Sequence, residues 1–341
     1  MPTQKSNKKI NIAINGFGRI GRVAFKHILN NPKLKVVAIN DLTDNATLAH
    51  LLKYDSVYGK YGRGVSSDEK NIYINKIKFP VFEEKEPLKL PWKELNVDVV
   101  LECTGVFREH KDCVQHINAG AKKVIISAPA KGTPKIPTYL IGANEDKYKG
   151  EKIISTASCT TNCIVPVTKV MEENFGIKRA FLTTIHSYTT DQNLVDGPHK
   201  DLRRARAAAQ NIVPTSTGAT IAVTEIYPKL KNKFDGLAVR VPTICGSLSD
   251  LVYEIKKKTT PDEINIIIKK ATQNIKLKNI LSATDEPIVS TDIIGDAHSS
   301  IVDLSCTQVI HGNLVKIIAW YDNEWAYSKR LEEMVEIVYK K

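Results

Sequence analysis

Apolar residues in the first part of the chain form short continuous runs, and stretches with helical spacing lie between those runs. The runs have the length of buried β-strands, and the stretches between them have the apolar period of helices. The strands and helices predicted here are, in chain order, 10–14, 19–30, 35–39, 97–101, 111–119 and 123–127. Strands that alternate with helices are typical of a parallel sheet with crossover helices, so we predict a doubly wound α/β sheet.

After about residue 150 the pattern changes to longer β-rich runs with helices between them. The longest of these runs are 180–186, 236–241 and 248–256. They predict an α+β domain that is built on a mixed or antiparallel sheet. Apolar residues between 328 and 339 recur at helical spacing and predict a closing amphipathic helix. The length of 341 residues is compatible with two domains, at roughly 150 residues per domain.

The composition is that of an ordinary globular protein, with 42% hydrophobic and 25% charged residues. No apolar run approaches the roughly 18 residues that are needed to cross a bilayer, so we expect a soluble protein without membrane contact. Lys and Arg number 49 and Asp and Glu 37, and the net charge of +12 would favour anionic partners. The lysines are spread along the chain, which favours a solvated surface over a nucleic-acid groove.

The cysteines and the start of the chain indicate the compartment. Six cysteines without paired Cys-x-x-Cys spacing indicate neither a disulfide framework nor a zinc site. Residues 1–9 are polar and lysine-rich, and they lack the apolar segment of a secretory signal and the arginine-rich pattern of a transit peptide. We interpret them as a frayed start and expect a cytoplasmic protein.

The first motif with chemistry is a G-x-G-x-x-G formed by Gly16, Gly18 and Gly21, directly after a predicted strand and before a predicted helix. The glycines allow a tight turn, a close approach to a pyrophosphate and close packing of helix on strand. Asp41 lies 20 residues after Gly21, where a carboxylate accepts hydrogen bonds from an adenosine ribose and repels a 2′-phosphate. The motif therefore predicts a Rossmann-type domain that binds NAD rather than NADP.

The second motif places Cys159 at or near the start of a predicted helix. Free amides and the helix dipole there lower the pKa of a thiol, although a cysteine in such a sequence is by itself more often structural than catalytic. His186 ends a predicted strand, as a core residue or as the base that a thiol nucleophile requires. Cys163, one helical turn on from Cys159, is expected to be packed. A metal site of these three residues would lack a fourth ligand, so no metal is predicted.

A polar segment from 187 to 210 is too long for a simple connection, and such segments are usually functional or disordered. It carries Arg203, Arg204 and Arg206, which suit either an anion site or salt bridges at a subunit contact. We expect the second role for at least two of the three arginines.

Four segments together resemble the phosphorylating glyceraldehyde-3-phosphate dehydrogenase family. They are Asn-Gly-Phe-Gly-Arg-Ile-Gly-Arg at 15–22, Ser-Cys-Thr-Thr-Asn-Cys at 158–163, His-Lys-Asp-Leu-Arg-Arg-Ala-Arg at 199–206 and Trp-Tyr-Asp-Asn-Glu-Trp at 320–325. The cysteine segment is highly specific to this family and its near relatives, whereas the glycine segment is not. The resemblance extends from about residue 10 to the last helix.

The resemblance implies that Cys159 is the nucleophile and His186 the base that activates its thiol. It implies two phosphate sites and an NAD site, whose residues are as follows. The implied site for inorganic phosphate contains Ser158, Thr160, Arg204, Thr217 and Gly218. The implied site for the substrate's phosphate contains Thr189 and Arg240. The implied NAD contacts are Arg19, Ile20, Asp41, Ser127 and Asn323, with Lys85 where the family often has an adenine-side arginine.

The family's reaction and assembly are implied in the same way. We expect oxidation and phosphorylation of glyceraldehyde 3-phosphate by NAD and inorganic phosphate through a cysteine thioester, in a homotetramer. The implied NAD-binding domain covers 1–158 and is completed by 322–341, and the implied catalytic domain covers 159–321. Thr190, Gly197 and Cys245 depart from residues common in the family. The first two lie on the cofactor side and make the selectivity for NAD over NADP less certain than Asp41 alone indicates.

Two alternatives remain open at this point. A near relative, erythrose-4-phosphate dehydrogenase, uses the same cysteine and histidine but releases a free acid; the segment Pro-Thr-Ser-Thr-Gly at 214–218 fits a phosphate site and argues against it. A role in nucleotide or RNA binding would use the net charge of +12, but the intact cysteine, histidine and anion-binding residues favour catalysis.

Overall fold

The computed structural model describes residues 8–341, so that most of the predicted frayed start lies outside the described residues. Up to residue 156, the helices and strands are β1 (Ile10–Asn15), α1 (Arg19–Ile28), β2 (Leu34–Asn40), α2 (Asn45–Lys53), β3 (Tyr54–Asp55), β4 (Gly59–Lys60), β5 (Val65–Ser67), β6 (Asn71–Ile74), β7 (Ile77–Phe82), β8 (Val99–Glu102), α3 (His110–Asn118), β9 (Lys123–Ile126) and β10 (Ile153–Ser155). After it they are α4 (Cys159–Asn174), β11 (Ile177–Ser187), β12 (Val213–Thr215), α5 (Ala219–Ile226), β13 (Phe234–Val241), β14 (Ser247–Ile255), α6 (Pro261–Thr272), β15 (Leu281–Thr284), β16 (Ser300–Ile310), β17 (Leu314–Tyr321) and α7 (Trp325–Tyr339).

The chain divides into two compact units. The first unit comprises the residues up to Tyr139 together with Lys147–Thr156 and Ser328–Lys341. The second unit comprises Leu140–Asp146 and Ala157–Tyr327. Within the described residues, none of the helices has both the length and the apolar character that a membrane span needs.

The first unit contains an eight-stranded sheet in the order β10-β9-β8-β1-β2-β7-β6-β5. The strands from β10 to β7 run parallel, and β6 and β5 extend the sheet with antiparallel pairs. The chain leaves β1 towards β2 on one side and returns on the other side as β8, which makes a topological switch point between β1 and β8. Open α/β sheets bind their ligands outside the carboxyl ends of the strands at such a point.

The central strands of the first unit are buried in its core, which explains why their sequences are continuous apolar runs. Ala13, Val100 and Val124 on neighbouring strands are fully buried, and Trp92 is buried in the same cluster. Parallel strands that are covered on both faces need apolar side chains at successive positions. The predicted doubly wound sheet is confirmed, whereas the antiparallel strands β5 and β6 at its edge were not predicted.

The second unit contains a seven-stranded mixed sheet in the order β12-β13-β11-β14-β17-β16-β15. The pairs β11–β13 and β15–β16 are parallel, and the other pairs are antiparallel. In the register of β11 and β13, His186 lies beside Arg240. The predicted mixed sheet of an α+β domain is confirmed, and its register places two of the candidate site residues side by side.

Helix α4 is buried against this mixed sheet. Cys163, Val167 and Met171 of the helix belong to one apolar cluster with Leu251 and Ile317 of the sheet. Pro166 lies inside the helix, which nevertheless runs without a break from its first to its last residue. The packed position of α4 fixes its first residue, the candidate nucleophile, relative to the strands.

Candidate active site

The candidate nucleophile is the first residue of α4. Ser158 is the N-cap of that helix, and its Oγ accepts a hydrogen bond from the backbone N–H of Thr161 at 3.1 Å. Ala157, the residue before the cap, has a φ of 55°, a left-handed conformation that is uncommon for a residue with a Cβ. The turn between β10 and α4 is therefore tight, and the Ser158 cap fixes the first turn of the helix, which begins with Cys159.

The thiol and the imidazole are within contact distance. Cys159 Sγ lies 3.4 Å from His186 Nε2. His186 Nδ1 lies 2.6 Å from the carbonyl oxygen of Ser187, which can only accept a hydrogen bond. With its proton on Nδ1, the ring donates to Ser187 at this short distance, and Nε2 of the neutral ring then has its lone pair free for the thiol proton. The tautomer is the one that a general base requires.

Arg240 shares the carbonyl group that orients the imidazole. Its Nη1 donates to the carbonyl oxygen of Ser187 at 3.0 Å and lies 2.8 Å from His186 Nδ1. The guanidinium is largely buried, and burial lowers its pKa. A positive charge is thus placed beside both the histidine and the thiol, where it favours negative charge on sulfur and opposes protonation of the imidazole.

The pKa values of the pair differ from the expectation drawn from the sequence. Burial raises the pKa of the Cys159 thiol above its ordinary value, although Arg240 and the Thr160 amide act in the opposite direction. Burial and the Arg240 guanidinium lower the pKa of His186 to about 3. The helix start was predicted to lower the pKa of the thiol, and this prediction is wrong in direction because desolvation outweighs the amides. The pair is a neutral thiol beside a neutral base.

A buried tyrosine lies behind the pair and was assigned no role from the sequence. The Tyr321 hydroxyl is hydrogen-bonded to Thr160 Oγ1 at 2.8 Å and to Thr184 Oγ1 at 2.9 Å. Its ring packs edge-on against His186, with 6.0 Å between the ring centroids. The hydroxyl of Thr160, a predicted phosphate ligand, is therefore engaged with Tyr321. Tyr321 lies in the segment 320–325 that carries the family resemblance. That segment was the only feature of the sequence that pointed to a role for this residue.

The predicted phosphate ligand Arg204 is held by several acceptors of the same unit. Its Nε donates to Thr215 Oγ1 at 2.9 Å, its Nη2 donates to the carbonyl oxygen of Ser216 at 3.2 Å, and Asp191 forms an ion pair with Nη1. The Thr215 hydroxyl donates in turn to Asp201 at 2.6 Å. These partners hold the guanidinium in place. They were not predicted from the sequence, because Asp191 precedes Arg204 along the chain, Thr215 and Ser216 follow it, and only the fold brings them together.

The remaining predicted phosphate ligands follow two strands of the mixed sheet. Thr189 is half-buried and lies two residues after the end of β11. Thr217 and Gly218 follow β12 and begin α5, with Gly218 as N-cap and Thr217 Oγ1 accepting from the Ala219 N–H at 3.2 Å. The start of a helix supplies free amides and positive dipole for an anion. The arginines Arg204 and Arg206 form ion pairs with acids of their own chain, Asp191 and Asp196.

The glycine loop in the first unit has the shape that a dinucleotide site needs. Gly16 has a φ of 92°, and a Cβ on it would lie 2.6 Å from the backbone nitrogen of Thr104. A Cβ on Gly21 would lie 2.1 Å from the carbonyl oxygen of Gly16, whereas a Cβ on Gly18 would meet nothing within 4 Å. Two glycines are thus required by the backbone itself, and the third leaves open space at the start of α1. In dinucleotide-binding folds, the pyrophosphate approaches the backbone at this glycine.

Asp41 is fixed across this loop. Its Oδ2 accepts a hydrogen bond from the Phe17 N–H at 2.7 Å, and its Oδ1 accepts one from the Thr43 N–H at 3.0 Å. A carboxylate oxygen has a second lone pair, so both oxygens retain acceptor capacity for ribose hydroxyls. The side chain stands directly after β2, as predicted, beside the carboxyl end of β1.

The other predicted cofactor residues lie in three places. Arg19 and Ile20 are in the first turn of α1, where Arg19 forms an ion pair with Asp55 at 3.0 Å. Ser127 follows β9, and exposed Lys85 lies in the segment after β7. Asn323 belongs to the second unit. The residues of the first unit therefore sit at or beside the carboxyl ends of its strands or at the start of α1.

Asn323 is held by the segment that begins β14. Its Oδ1 accepts hydrogen bonds from Ser247 Oγ at 2.9 Å and from the Gly246 N–H at 3.2 Å. Cys245, one of the residues that depart from the family pattern, donates its thiol hydrogen to Asp322 Oδ1 at 3.3 Å. With its oxygen fixed in this way, the amide of Asn323 presents its NH2 group as a donor.

Two family models match the chain. Residues 10–110 match the NAD binding domain of glyceraldehyde 3-phosphate dehydrogenase, and residues 158–323 match its C-terminal domain. The glyceraldehyde-3-phosphate dehydrogenase of Geobacillus stearothermophilus is 50% identical over 334 residues, which cover 97% of this chain and 99% of the relative. The enzyme of that name from Mycobacterium avium is 52% identical over 339 residues, with the same coverage of 97% and 99%.

A parallel sheet with a glycine loop at its switch point and a thiol beside a neutral imidazole define the class of NAD-dependent oxidoreductases with a cysteine nucleophile. Within that class, the chain belongs to the glyceraldehyde-3-phosphate dehydrogenase family. The predictions of the family, of an enzyme and of NAD as cofactor are confirmed. The roles of the single site residues stay predictions.

The neutral pair predicts how alkylation of Cys159 depends on pH. Without the lone pair of His186, the thiol must ionise alone, and burial has raised its pKa. His186→Asn should therefore slow the reaction of Cys159 with iodoacetamide at pH 7 by at least about tenfold and move the rise of the rate to higher pH. Mass spectrometry of partly alkylated protein gives the rate for each cysteine, and the fully buried Cys163 is the internal reference. An unchanged pH profile would contradict the assignment of the base.

The glycine loop predicts opposite effects for two alanine substitutions. Gly18→Ala should leave the thermal midpoint of unfolding close to that of the wild type and weaken NAD binding by about tenfold or more, because the methyl group fills the open space. Gly21→Ala should lower the midpoint, because its Cβ collides with the carbonyl of Gly16. Calorimetric titration and thermal unfolding measure the two effects. NAD binding at wild-type strength in Gly18→Ala would show that the ligand does not use this space.

Proposed function

We propose that the chain oxidises and phosphorylates D-glyceraldehyde 3-phosphate to 1,3-bisphosphoglycerate, with NAD as the oxidant and Cys159 as the carrier of the acyl group. The observation that supports this most directly is the 3.4 Å contact between Cys159 Sγ and His186 Nε2 at the start of α4. The family membership adds the substrate and the cofactor.

The first step is addition of the thiol to the aldehyde. Cys159 Sγ forms a bond to the carbonyl carbon while the thiol proton passes to His186 Nε2, and the carbonyl oxygen then takes this proton from Nε2 to become the hydroxyl of a hemithioacetal, which leaves the imidazole neutral again. Because the pair starts neutral, the imidazole must take the proton as the sulfur attacks. Arg240 supports this step through its positive charge, which favours the developing thiolate.

The second step turns the hemithioacetal into a thioester. NAD, when bound, supplies the acceptor for the hydride that leaves the carbon. His186 Nε2 takes the hydroxyl proton, and the C–O bond becomes the carbonyl of the thioester on Cys159. The third step is attack of an inorganic phosphate oxygen on that carbonyl, after which the C–S bond breaks and the thiolate leaves. The leaving thiolate takes back the proton that His186 Nε2 accepted in the second step, so the products are an acyl phosphate and the neutral pair of cysteine and histidine.

We assign the two phosphate sites to the cationic and amide groups around the pair. Arg204, Thr217 and Gly218 lie where β12 leads into α5, and we propose them with Ser158 and Thr160 for inorganic phosphate. We propose Thr189 and Arg240 for the substrate's phosphate. Within the described residues, the buried Nε of Arg240 has no hydrogen-bond partner, which fits an oxygen ligand.

We propose a homotetramer in the cytoplasm, with functional domains over 1–158 completed by 322–341, and over 159–321. One face of the mixed sheet supports the assembly, because Phe181 on β11 and Leu237 on β13 are 64% and 44% exposed. Exposed large apolar groups on one sheet face are typical of a protein contact. All six cysteines are free, which fits a reducing compartment.

The dependence on phosphate tests the reaction. Formation of NADH from glyceraldehyde 3-phosphate, followed by absorbance, should require phosphate, accept arsenate in its place and give an acyl phosphate. Thr217→Ala should raise the KM for phosphate by about tenfold or more with little change in the KM for the aldehyde, because a hydrogen bond to a charged ligand is lost. Thr217→Ser keeps the hydroxyl and is the matched control. Full turnover without phosphate, with a free acid as product, would favour the hydrolytic relative instead.

The choice of cofactor tests Asp41. We propose that the Asp41 carboxylate, which is hydrogen-bonded to the glycine loop, accepts from the ribose, so Asp41→Ala should lower the ratio of kcat/KM for NAD over NADP by at least about tenfold. Asp41→Ala also breaks the hydrogen bond from the Phe17 N–H, which could lower kcat/KM for both cofactors equally. Such a common loss cancels in the ratio. Asp44→Ala, which removes the N-cap of α2 nearby, is the control and should leave the ratio unchanged. Equal use of both cofactors by the wild type would refute the role of Asp41.

A further inference from the structure

A row of buried polar side chains crosses the carboxyl ends of β2, β1 and β8 in the first unit. Asn40 Nδ2 donates to Asn15 Oδ1 at 2.7 Å, and Asn15 Nδ2 donates to Glu102 Oε2 at 2.6 Å. Glu102 is 1% exposed. Polar groups this deep cost free energy unless each is hydrogen-bonded, so a row of them at the ligand edge of a sheet needs a reason.

The row continues into α3 through a histidine. Trp92 Nε1, which can only donate, lies 3.0 Å from His116 Nδ1. Nδ1 must therefore be the acceptor, so the ring proton is on Nε2, which lies 3.1 Å from Glu102 Oε2 and donates to it. Glu102 Oε2 is thus held by hydrogen bonds from Asn15 and His116.

The other oxygen of Glu102 fixes the loop that follows β8. Glu102 Oε1 accepts from the Thr104 N–H at 2.9 Å and also from the Thr104 hydroxyl. Thr104 Oγ1 accepts in turn from the Val106 N–H at 3.0 Å. The carboxylate therefore accepts four hydrogen bonds and locks the conformation of the turn after β8.

This turn lies against the glycine loop at the switch point of the sheet. A Cβ on Gly16 would lie 2.6 Å from the backbone nitrogen of Thr104, so the two backbones are in direct contact. Gly105, the next residue, has a φ of 72° and open space where its Cβ would be. Open α/β sheets bind their ligands in a crevice at such a switch point, and here the glycine loop and the turn at Thr104 and Gly105 are the two segments that border it.

We propose that Glu102 is a positioning residue for dinucleotide binding. By holding Thr104 against Gly16 it fixes the second wall of the crevice, and because it is buried it does so without touching the ligand. The proposal rests on the proposed NAD-dependent function and adds the residue that maintains the shape of the site.

The test is the affinity of Glu102→Gln for NAD and for ADP-ribose, measured with the full chain by calorimetric titration. The amide NH2 of glutamine would face the donors of Asn15 or His116, or it would displace Thr104, so one contact must be lost in either orientation. Both dissociation constants should rise by about tenfold, as expected for losing a hydrogen bond to a charged group. The kcat at saturating NAD should stay within about twofold of the wild type.

Asp98→Asn is the matched control. Asp98 is also 1% exposed, and it lies at the amino end of the same strand, where it accepts from the Asn11 N–H at 2.9 Å and from Lys122 Nζ at 2.7 Å. This variant should lower the thermal midpoint and leave both dissociation constants unchanged. An equal loss of affinity in both variants would mean that Glu102 acts only through general stability.

If Glu102→Gln does not fold, Thr104→Val tests the proposal instead. This variant keeps the backbone N–H but removes the hydroxyl that is hydrogen-bonded to Glu102 and to the Val106 N–H. Its dissociation constant for NAD should rise while the kcat at saturation is retained. Wild-type affinity in whichever variant is folded overturns the proposal. A wild-type chain that does not bind NAD at all would overturn the proposed function as well, and that result is distinct from the others.

Discussion

The carbonyl oxygen of Ser187 determines which nitrogen of His186 can act as the base. It lies 2.6 Å from Nδ1 and accepts the proton of that nitrogen, which leaves Nε2 as the acceptor that faces the thiol. The carbonyl is held in place by the sheet, since Ser187 is paired with Val241 in the register of β11 and β13. The chemistry of the second unit thus depends on a backbone group whose position is set by strand pairing, and side chains alone do not explain it.

Arg240 acts on both His186 and Cys159. It donates to the same carbonyl, it lowers the pKa of His186, and it opposes the rise that burial causes in the pKa of Cys159. Its removal would therefore change the orientation of the imidazole and the pKa values of both groups at once. For this reason a variant at Arg240 cannot report on the substrate's phosphate alone, whereas a variant at Thr217 removes one hydroxyl at the start of α5 and leaves the pair intact.

Sequence reasoning was most successful where the function follows from consecutive residues. The glycine loop, Asp41 after β2 and Cys159 at the start of α4 could all be placed from local pattern, because strand ends and helix starts are local features. Tyr321 could not, since its partner Thr160 is 161 residues away and only the fold brings the two hydroxyls together. The antiparallel strands β5 and β6 are short and partly polar, so they show no strong period. The direction of the thiol's pKa shift was wrong because amides at a helix start are visible in a sequence and burial is not.

The two units use the same physical solution at different sites. In the second unit a buried acceptor, the Ser187 carbonyl, orients the imidazole that we propose as the base; in the first unit the Glu102 carboxylate holds the turn that we propose as part of the dinucleotide site. Neither acceptor is in a recognisable motif, because its donors come from different parts of the chain: His186 and Arg240 for the Ser187 carbonyl, and Asn15, His116 and Thr104 for Glu102. Cys245 illustrates the corollary. It replaces the asparagine that is usual in the family, but its thiol still donates to Asp322, while the oxygen of Asn323 is held by Gly246 and Ser247. A departure from a motif is tolerated where the donor and acceptor roles around it are preserved, so the hydrogen-bond partners of a residue, more than its identity, indicate whether a site is intact.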